Sequence, residues 1–206
     1  MDVVLAFAAT LVSLRLAADL VRRWRSRRTP ELLAWGASLA AFAAASAALA
    51  WGAAAGWDDR SFRAYYLFGA LLTAPLLGAG SLFRTRFPRT AVALGLMLYV
   101  GLAIGVALAM QIVPPVTGSG LPEPGDHLDF LPARVVALFG NVAGTVAAVV
   151  VAGAGIRRRP LGNALIVSGV IAAALGSAVA GLADWGGSAF TIVAAVLLYA
   201  GFVSPR

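Results

Sequence analysis

The sequence has no cysteine, no lysine and a single histidine. Without cysteine, disulfides, thiolate catalysis and cysteine-ligated metals are excluded. Without lysine, a retinal Schiff base cannot form, which excludes a light-driven pump or sensor of the rhodopsin type. The one histidine, His127, stands between Asp126 and Asp129, a pattern too unspecific to indicate metal ligation. We therefore predict no metal site.

Charged residues are also scarce, at 12% of the chain against 61% hydrophobic residues. A soluble domain carries about 25% charged residues, and apolar stretches of about 20 residues, which recur here, are typical of membrane spans. The apolar stretches contain no serine–histidine, paired-aspartate or HExxH set, so we predict no enzyme activity and no cofactor. They also lack the deeply placed titratable relay that a proton-coupled transporter needs.

Polar turns divide the chain into seven apolar segments. The first ends in Arg22 and Arg23 rather than at a small-residue cleavage site, so we expect it to be retained as a helix. The one long loop, 114–130, begins with Pro114 and Pro115, which cannot continue a helix. The sequence predicts one domain, 1–206, that is an all-α bundle of seven transmembrane helices. The predicted helices cover residues 3–21, 31–54, 61–83, 90–113, 131–156, 161–183 and 188–203.

The arginines are distributed unequally between the two sides of this bundle. Twelve of the 16 fall in alternate turns and at the C-terminus, whereas only Arg60, Arg63 and Arg134 fall on the opposite side. By the positive-inside rule the N-terminus is outside and the C-terminus is cytoplasmic. The arginine and alanine usage is typical of a GC-rich bacterial genome, so we expect a multi-pass protein of a bacterial plasma membrane. The net charge of +7 then indicates contact with lipid headgroups and not with nucleic acid.

Polar residues at the predicted outer side form the candidate ligand site. Arg63 and Arg134 begin helices three and five, Asp184 ends helix six, and Tyr65 lies beside Arg63. Two guanidinium groups at the mouth of a bundle could hold an anionic or carboxylate ligand bidentately. The alternative is a set of salt bridges that pins the long loop to the helix ends.

A second group of polar residues lies within the predicted spans. Arg15 and Asp19 are four residues apart, so they share a face of helix one. They form a structural pair, a cytoplasmic gate or a contact with a partner helix. Thr73 precedes Pro75, which frees a backbone carbonyl and can kink helix three. Asn141 and Thr145 share a face of helix five, where such side chains commonly bond between helices. The other interpretation is a polar path to the midplane.

Three GxxxG pairs indicate close helix contacts: 52 and 56, 101 and 105, and 140 and 144. Small residues four apart allow two backbones to approach within a bilayer. The pairs predict packing inside the bundle or, alternatively, the seam of a homodimer or of a complex with another membrane protein.

The stretches FRAYYLFGALLTAPLLGAGSLF, from Phe62, and NALIVSGVIAAALGSAVAG, from Asn163, resemble an uncharacterised family of small multi-spanning membrane proteins of actinobacteria and their relatives. The resemblance implies a seven-helix protein and brings no known activity. More loosely, the topology is similar to the seven-helix input modules of bacterial sensor kinases.

Three functions fit these patterns. The first is a receptor-like module that binds a small anionic ligand or a lipid and opens to the outside. The second is an accessory or structural subunit of a membrane complex. The third is a small transporter that is not coupled to protons, with its path near Thr73, Pro75 and Asn141.

Overall fold

The computed structural model describes residues 2–157, 159–179 and 186–204, and this part of the chain contains helices and no strands. Four helices, α2 to α5 below, are long and apolar enough to cross a membrane. The apolar parts described in the last two helices are shorter, Pro160–Ala173 and Ile192–Val203. The all-α prediction is confirmed, and seven spans stay a prediction. The long helices are α1 Asp2–Arg27, α2 Pro30–Ala55, α3 Asp59–Leu82, α4 Arg89–Ala109, α5 Phe130–Ala154, α6 Pro160–Val179 and α7 Gly186–Val203.

Two of the described helix ends differ from the predicted ones by four residues or more. Helix α1 continues to Arg27 instead of stopping at Val21, because arginine is a good helix former and Arg22 and Arg23 pair with a carboxylate one turn earlier. Helix α4 ends at Ala109 rather than at Val113. The predicted end of helix six, Ala183, lies outside the described residues.

Helix α3 begins at a capping box. The Asp58 carboxylate accepts a hydrogen bond from the Ser61 backbone N–H at 2.7 Å, and the Ser61 hydroxyl accepts one from the Asp58 N–H at 3.0 Å. Donation by the Ser61 hydroxyl and N–H holds the pKa of Asp58 below its ordinary value of 3.8. This reciprocal cap fixes where the chain re-enters the bundle after Trp57.

The long loop lies over one end of the bundle, which we call the loop end. Ile112, Val116 and Leu128 are buried there in a cluster with Phe62. The Val116 N–H donates to the Asp59 carboxylate at 3.0 Å. The loop thus contributes core residues and is fixed to the start of α3.

At the opposite end the C-terminal part of α7 packs against α1 and α2. Trp35 stacks on Phe202 with ring centroids 4.3 Å apart, and both belong to a buried cluster with Leu20 and Leu77. The arginine-containing turns after α3 and α5 meet here as well, so we call it the arginine-rich end.

A crevice between three helices and the polar groups around it

An apolar crevice of about 400 Å³ lies between α3, α4 and α5. Its walls are mostly small and aromatic side chains, and the Tyr99 hydroxyl is one of the few polar groups in them. Residues that line it include Pro75, Gly78, Phe87, Gly95, Tyr99, Phe139 and Gly140.

The crevice exists because α3 and α5 touch while α4 stands away from them. A Cβ on Gly144 would lie 2.2 Å from the Ala74 carbonyl oxygen, and one on Gly78 would lie 2.6 Å from the Gly144 Cα, so the two backbones are in contact. A Cβ on Gly95 of α4 would meet nothing within 4 Å. The interpretation of Gly140 and Gly144 as a packing face agrees with this geometry.

The middle of α3 widens into π-helical turns at Tyr66–Thr73, immediately before Pro75. Proline has no N–H, so Pro75 leaves one carbonyl without its donor, that of Leu71 in an α-helical register and that of Ala70 in a π-helical register. The Tyr99 hydroxyl donates to the Leu71 carbonyl at 2.9 Å, and the Asn141 amide donates to the Ala70 carbonyl at 2.9 Å. Helices α4 and α5 therefore supply side-chain donors to the two carbonyls that Pro75 can affect.

Of the remaining polar residues predicted for the spans, one also donates to a backbone carbonyl and one does not. Thr73 donates its hydroxyl to the Phe68 carbonyl at 2.7 Å, and Ser38 of α2 donates to the Thr73 carbonyl at 2.8 Å. Thr145 is half-buried, and its side chain has no hydrogen bond to another described residue. Thr73 and Asn141 thus bond to backbone carbonyls, and a polar path past them stays a prediction. The sequence analysis missed Tyr99, although a tyrosine inside an apolar helix signals a need for a hydrogen-bond partner.

Arg63 reaches from the start of α3 to the C-terminal end of α4. Its guanidinium donates to the carbonyls of Ala107, Leu108 and Met110, the last two at 3.2 and 3.0 Å. These are the carbonyls that a helix end leaves without partners, and a cation there also favours the helix dipole. Arg63 therefore caps the end of α4 with a side chain from α3.

The other members of the predicted outer cluster have separate surroundings. Tyr65 packs edge-on against Trp57, with ring centroids 5.5 Å apart. The Arg134 guanidinium lies 5.7 Å from the centre of the Phe130 ring. Asp184 lies outside the described residues. The described members thus contact different partners, and a shared anion vestibule stays a prediction.

Asp19 has other partners than the predicted Arg15. Its carboxylate pairs with Arg22 at 3.3 Å and Arg23 at 2.8 Å, and it accepts a hydrogen bond from the Tyr199 hydroxyl. Arg15 is exposed on the surface of α1. The expected pair is therefore replaced by a contact that joins α1 to α7.

No group of three or more histidine, aspartate or glutamate residues in the described part of the chain is placed to hold a metal ion. Comparison with protein-family models, with curated proteins and with solved structures finds no match to this chain. The resemblance to a family of actinobacterial membrane proteins stays a prediction.

Proposed function

We propose that this chain is a seven-span protein of a bacterial plasma membrane, with its N-terminus outside and its C-terminus in the cytoplasm, that binds an acyl chain of a lipid. The observation that carries the proposal is the apolar crevice of about 400 Å³ between α3, α4 and α5. The crevice replaces the outer arginine cluster as the site, because Arg63 is engaged by the end of α4.

The size and chemistry of the crevice suit an acyl chain. Ligand pockets typically measure about 300–1,000 Å³ and are lined mainly by apolar side chains. The Tyr99 hydroxyl already donates its hydrogen to the Leu71 carbonyl, so a ligand in the crevice needs few hydrogen-bonding groups of its own. An acyl chain between α3 and α4 would gain dispersion contacts along its length.

The test is a pair of matched glycine substitutions on α4. Gly95 lines the crevice and Gly101 does not, yet a Cβ at either position meets nothing within 4 Å. Gly95→Leu should fill the crevice without a backbone clash, whereas Gly101→Leu should leave it open. The assay is labelling of the protein in nanodiscs by a fatty acid that carries a diazirine near its chain end, with labelled residues identified by mass spectrometry.

We expect labelling of crevice residues in the parent protein and in Gly101→Leu, and at least a severalfold loss in Gly95→Leu. Equal labelling in all three proteins would contradict the proposal. The proposal would also be contradicted if crevice residues were labelled no more strongly than residues on the exposed face of α4.

A second candidate function, an accessory subunit or homodimer, is favoured by α4 itself. Only 17% of its most apolar 18 residues are buried, against 61% in α2 and 50% in α3. Gly101 and Gly105 both face open space, as an unoccupied GxxxG seam would. Gly105→Leu should then dissociate a complex that native mass spectrometry detects in the parent protein, while a monomeric parent would contradict this candidate.

A further inference from the structure

The apolar crevice lies in one half of the bundle, next to the arginine-rich end. Helix α3 lines it from Pro75 to Leu82, the residue at which this helix ends. Helix α4 lines it from Ala91, near its start, to Tyr99, near its middle. This part of α4 is about 12 Å long, and one leaflet occupies about half of a hydrocarbon core of roughly 30 Å. The crevice therefore extends from the turn between α3 and α4 to about the depth of one leaflet.

The turn between α3 and α4, residues 83–88, borders one end of the crevice. Phe87 lines the crevice and is nevertheless 63% exposed, so it marks the mouth. Thr85 holds the turn in shape, because its hydroxyl donates to the Leu82 carbonyl at 2.7 Å and accepts from the Phe87 N–H at 3.2 Å. The residues beside Phe87 are therefore placed at this mouth by the fold of the turn.

Two arginines flank Phe87 at the mouth. Arg86 and Arg89 are both exposed, and neither makes an ion pair or a hydrogen bond with another residue that the structure describes. Arg89 precedes the lining residues Val92 and Leu96 by three and seven positions, so it shares their face of α4. The turn contains no acidic residue. Two guanidinium groups are thus available at one end of a crevice whose own lining carries no charge.

We propose that the occupant of the crevice is a phospholipid with a net negative headgroup, from the leaflet at the arginine-rich end. Its phosphate lies at Arg86 and Arg89, and its acyl chain runs along α4 toward Tyr99. This inference rests on the proposed acyl-chain site and adds the headgroup and the orientation of the ligand. Arginine binds phosphate bidentately, and basic groups at the membrane surface attract anionic lipids. A zwitterionic headgroup brings its own positive charge to the same arginines and gains less.

The headgroup is tested with two photoreactive lipids that have identical acyl chains with a diazirine near the chain end. One is a phosphatidylglycerol and the other a phosphatidylcholine, each added at the same low fraction to phosphatidylcholine nanodiscs that contain the full chain. Labelled residues are identified by mass spectrometry. Because one arginine near the surface strengthens the attraction of an anionic lipid roughly fivefold, we expect at least this preference for phosphatidylglycerol in labelling of the crevice.

The double variant Arg86→Gln, Arg89→Gln keeps polar side chains at the mouth and removes both charges. The crevice should then be labelled equally by the two lipids. Arg25→Gln with Arg27→Gln is the matched control, because these arginines are also exposed and lie at the same end of the bundle, in the last turn of α1. This control removes the same charge from a turn that does not border the crevice, so the preference should remain.

The orientation is tested by moving the diazirine from the chain end to a carbon near the headgroup. Labelling should then move from the neighbourhood of Tyr99 to that of Phe87. The reverse order would overturn the proposed orientation, and this measurement does not depend on any substitution.

The outcomes separate this inference from the acyl-chain site on which it rests. Equal labelling of the crevice by both lipids would leave the acyl-chain site standing and overturn the anionic headgroup. A preference that the control variant at 25 and 27 loses as fully as the variant at 86 and 89 would overturn it as well, since the attraction would then come from the whole arginine-rich surface. Absence of crevice labelling by either lipid would overturn both proposals.

Discussion

Tyr99 donates its hydroxyl hydrogen to the Leu71 carbonyl at 2.9 Å, across the gap between α4 and α3. In an α-helical register this is the carbonyl that residue 75 would serve with its N–H if it were not proline. Helix α4 buries little of its surface, so this hydrogen bond is, with those of Arg63, one of the polar contacts that hold it against α3. Because the same two helices border the crevice, the bond also sets the width of the proposed acyl-chain site.

Tyr99→Phe should lower the free energy of unfolding by about 1 kcal/mol, since interhelical hydrogen bonds in membranes contribute roughly 0.6 kcal/mol on average and up to about 1.7. In a Pro75→Ala background the backbone N–H of residue 75 can donate to the Leu71 carbonyl. Tyr99→Phe should then lower the free energy of unfolding by less than it does in the parent protein. A double-mutant cycle, measured by unfolding in mixed micelles, gives the coupling.

Tyr65→Phe is the control for this cycle. The Tyr65 hydroxyl makes no hydrogen bond to another described residue, and its ring packs on Trp57, so its removal should change stability little. Additive effects of Tyr99→Phe and Pro75→Ala would show that Tyr99 does not compensate for the proline.

Gly144→Ala should destabilise the protein by about 2 kcal/mol, in the range of overpacking substitutions. The added Cβ would lie 2.2 Å from the Ala74 carbonyl oxygen and must separate α3 from α5. Gly153→Ala is the matched control, because Gly153 lies on the same helix as Gly144 and its Cβ meets nothing within 4 Å. Thermal unfolding of the two variants is the measurement, and equal Tm values would contradict the close contact of α3 and α5.

The sequence was sufficient to predict the helices but not to predict which groups their polar side chains contact. Hydropathy and turn residues placed most of the described helix ends within a few residues, because burial of apolar side chains and proline act locally along the chain. The end of α1, at Arg27 instead of Val21, was missed.

The partners of polar residues depend on contacts between distant segments. Arg63 was therefore interpreted as a ligand-binding group, although it lies beside the carbonyls of α4. Asp19 was paired with Arg15, although its carboxylate contacts Arg22 and Arg23.

Glycine pairs show the same limit. Gly101 with Gly105 and Gly140 with Gly144 are identical as patterns, yet the first faces open space and the second touches other helices. A spacing of four residues defines a face of a helix but not what lies against that face. The crevice depends on this difference, so no motif could have predicted it.

Arg63 connects the start of α3 to the C-terminal end of α4. Its guanidinium serves the carbonyls of Ala107, Leu108 and Met110 together, and hydrogen bonds from a charged donor contribute about 1.5–3 kcal/mol. Arg63→Ala should therefore lower the free energy of unfolding by about 2 kcal/mol and loosen the last turn of α4.

Hydrogen exchange measures this effect locally. In Arg63→Ala the amides from the last turn of α4 through Val113 should exchange faster, because the last turn frays. The Val113 N–H donates to the His127 carbonyl at 2.9 Å, and this hydrogen bond should open more often when the end of α4 is no longer held. Arg60→Ala removes an exposed arginine from the same first turns of α3 and should leave these amides unchanged. If both variants exchange alike, the arginine at 63 does not cap α4. Its guanidinium would then again be a candidate for the anionic ligand that its position in the sequence first suggested.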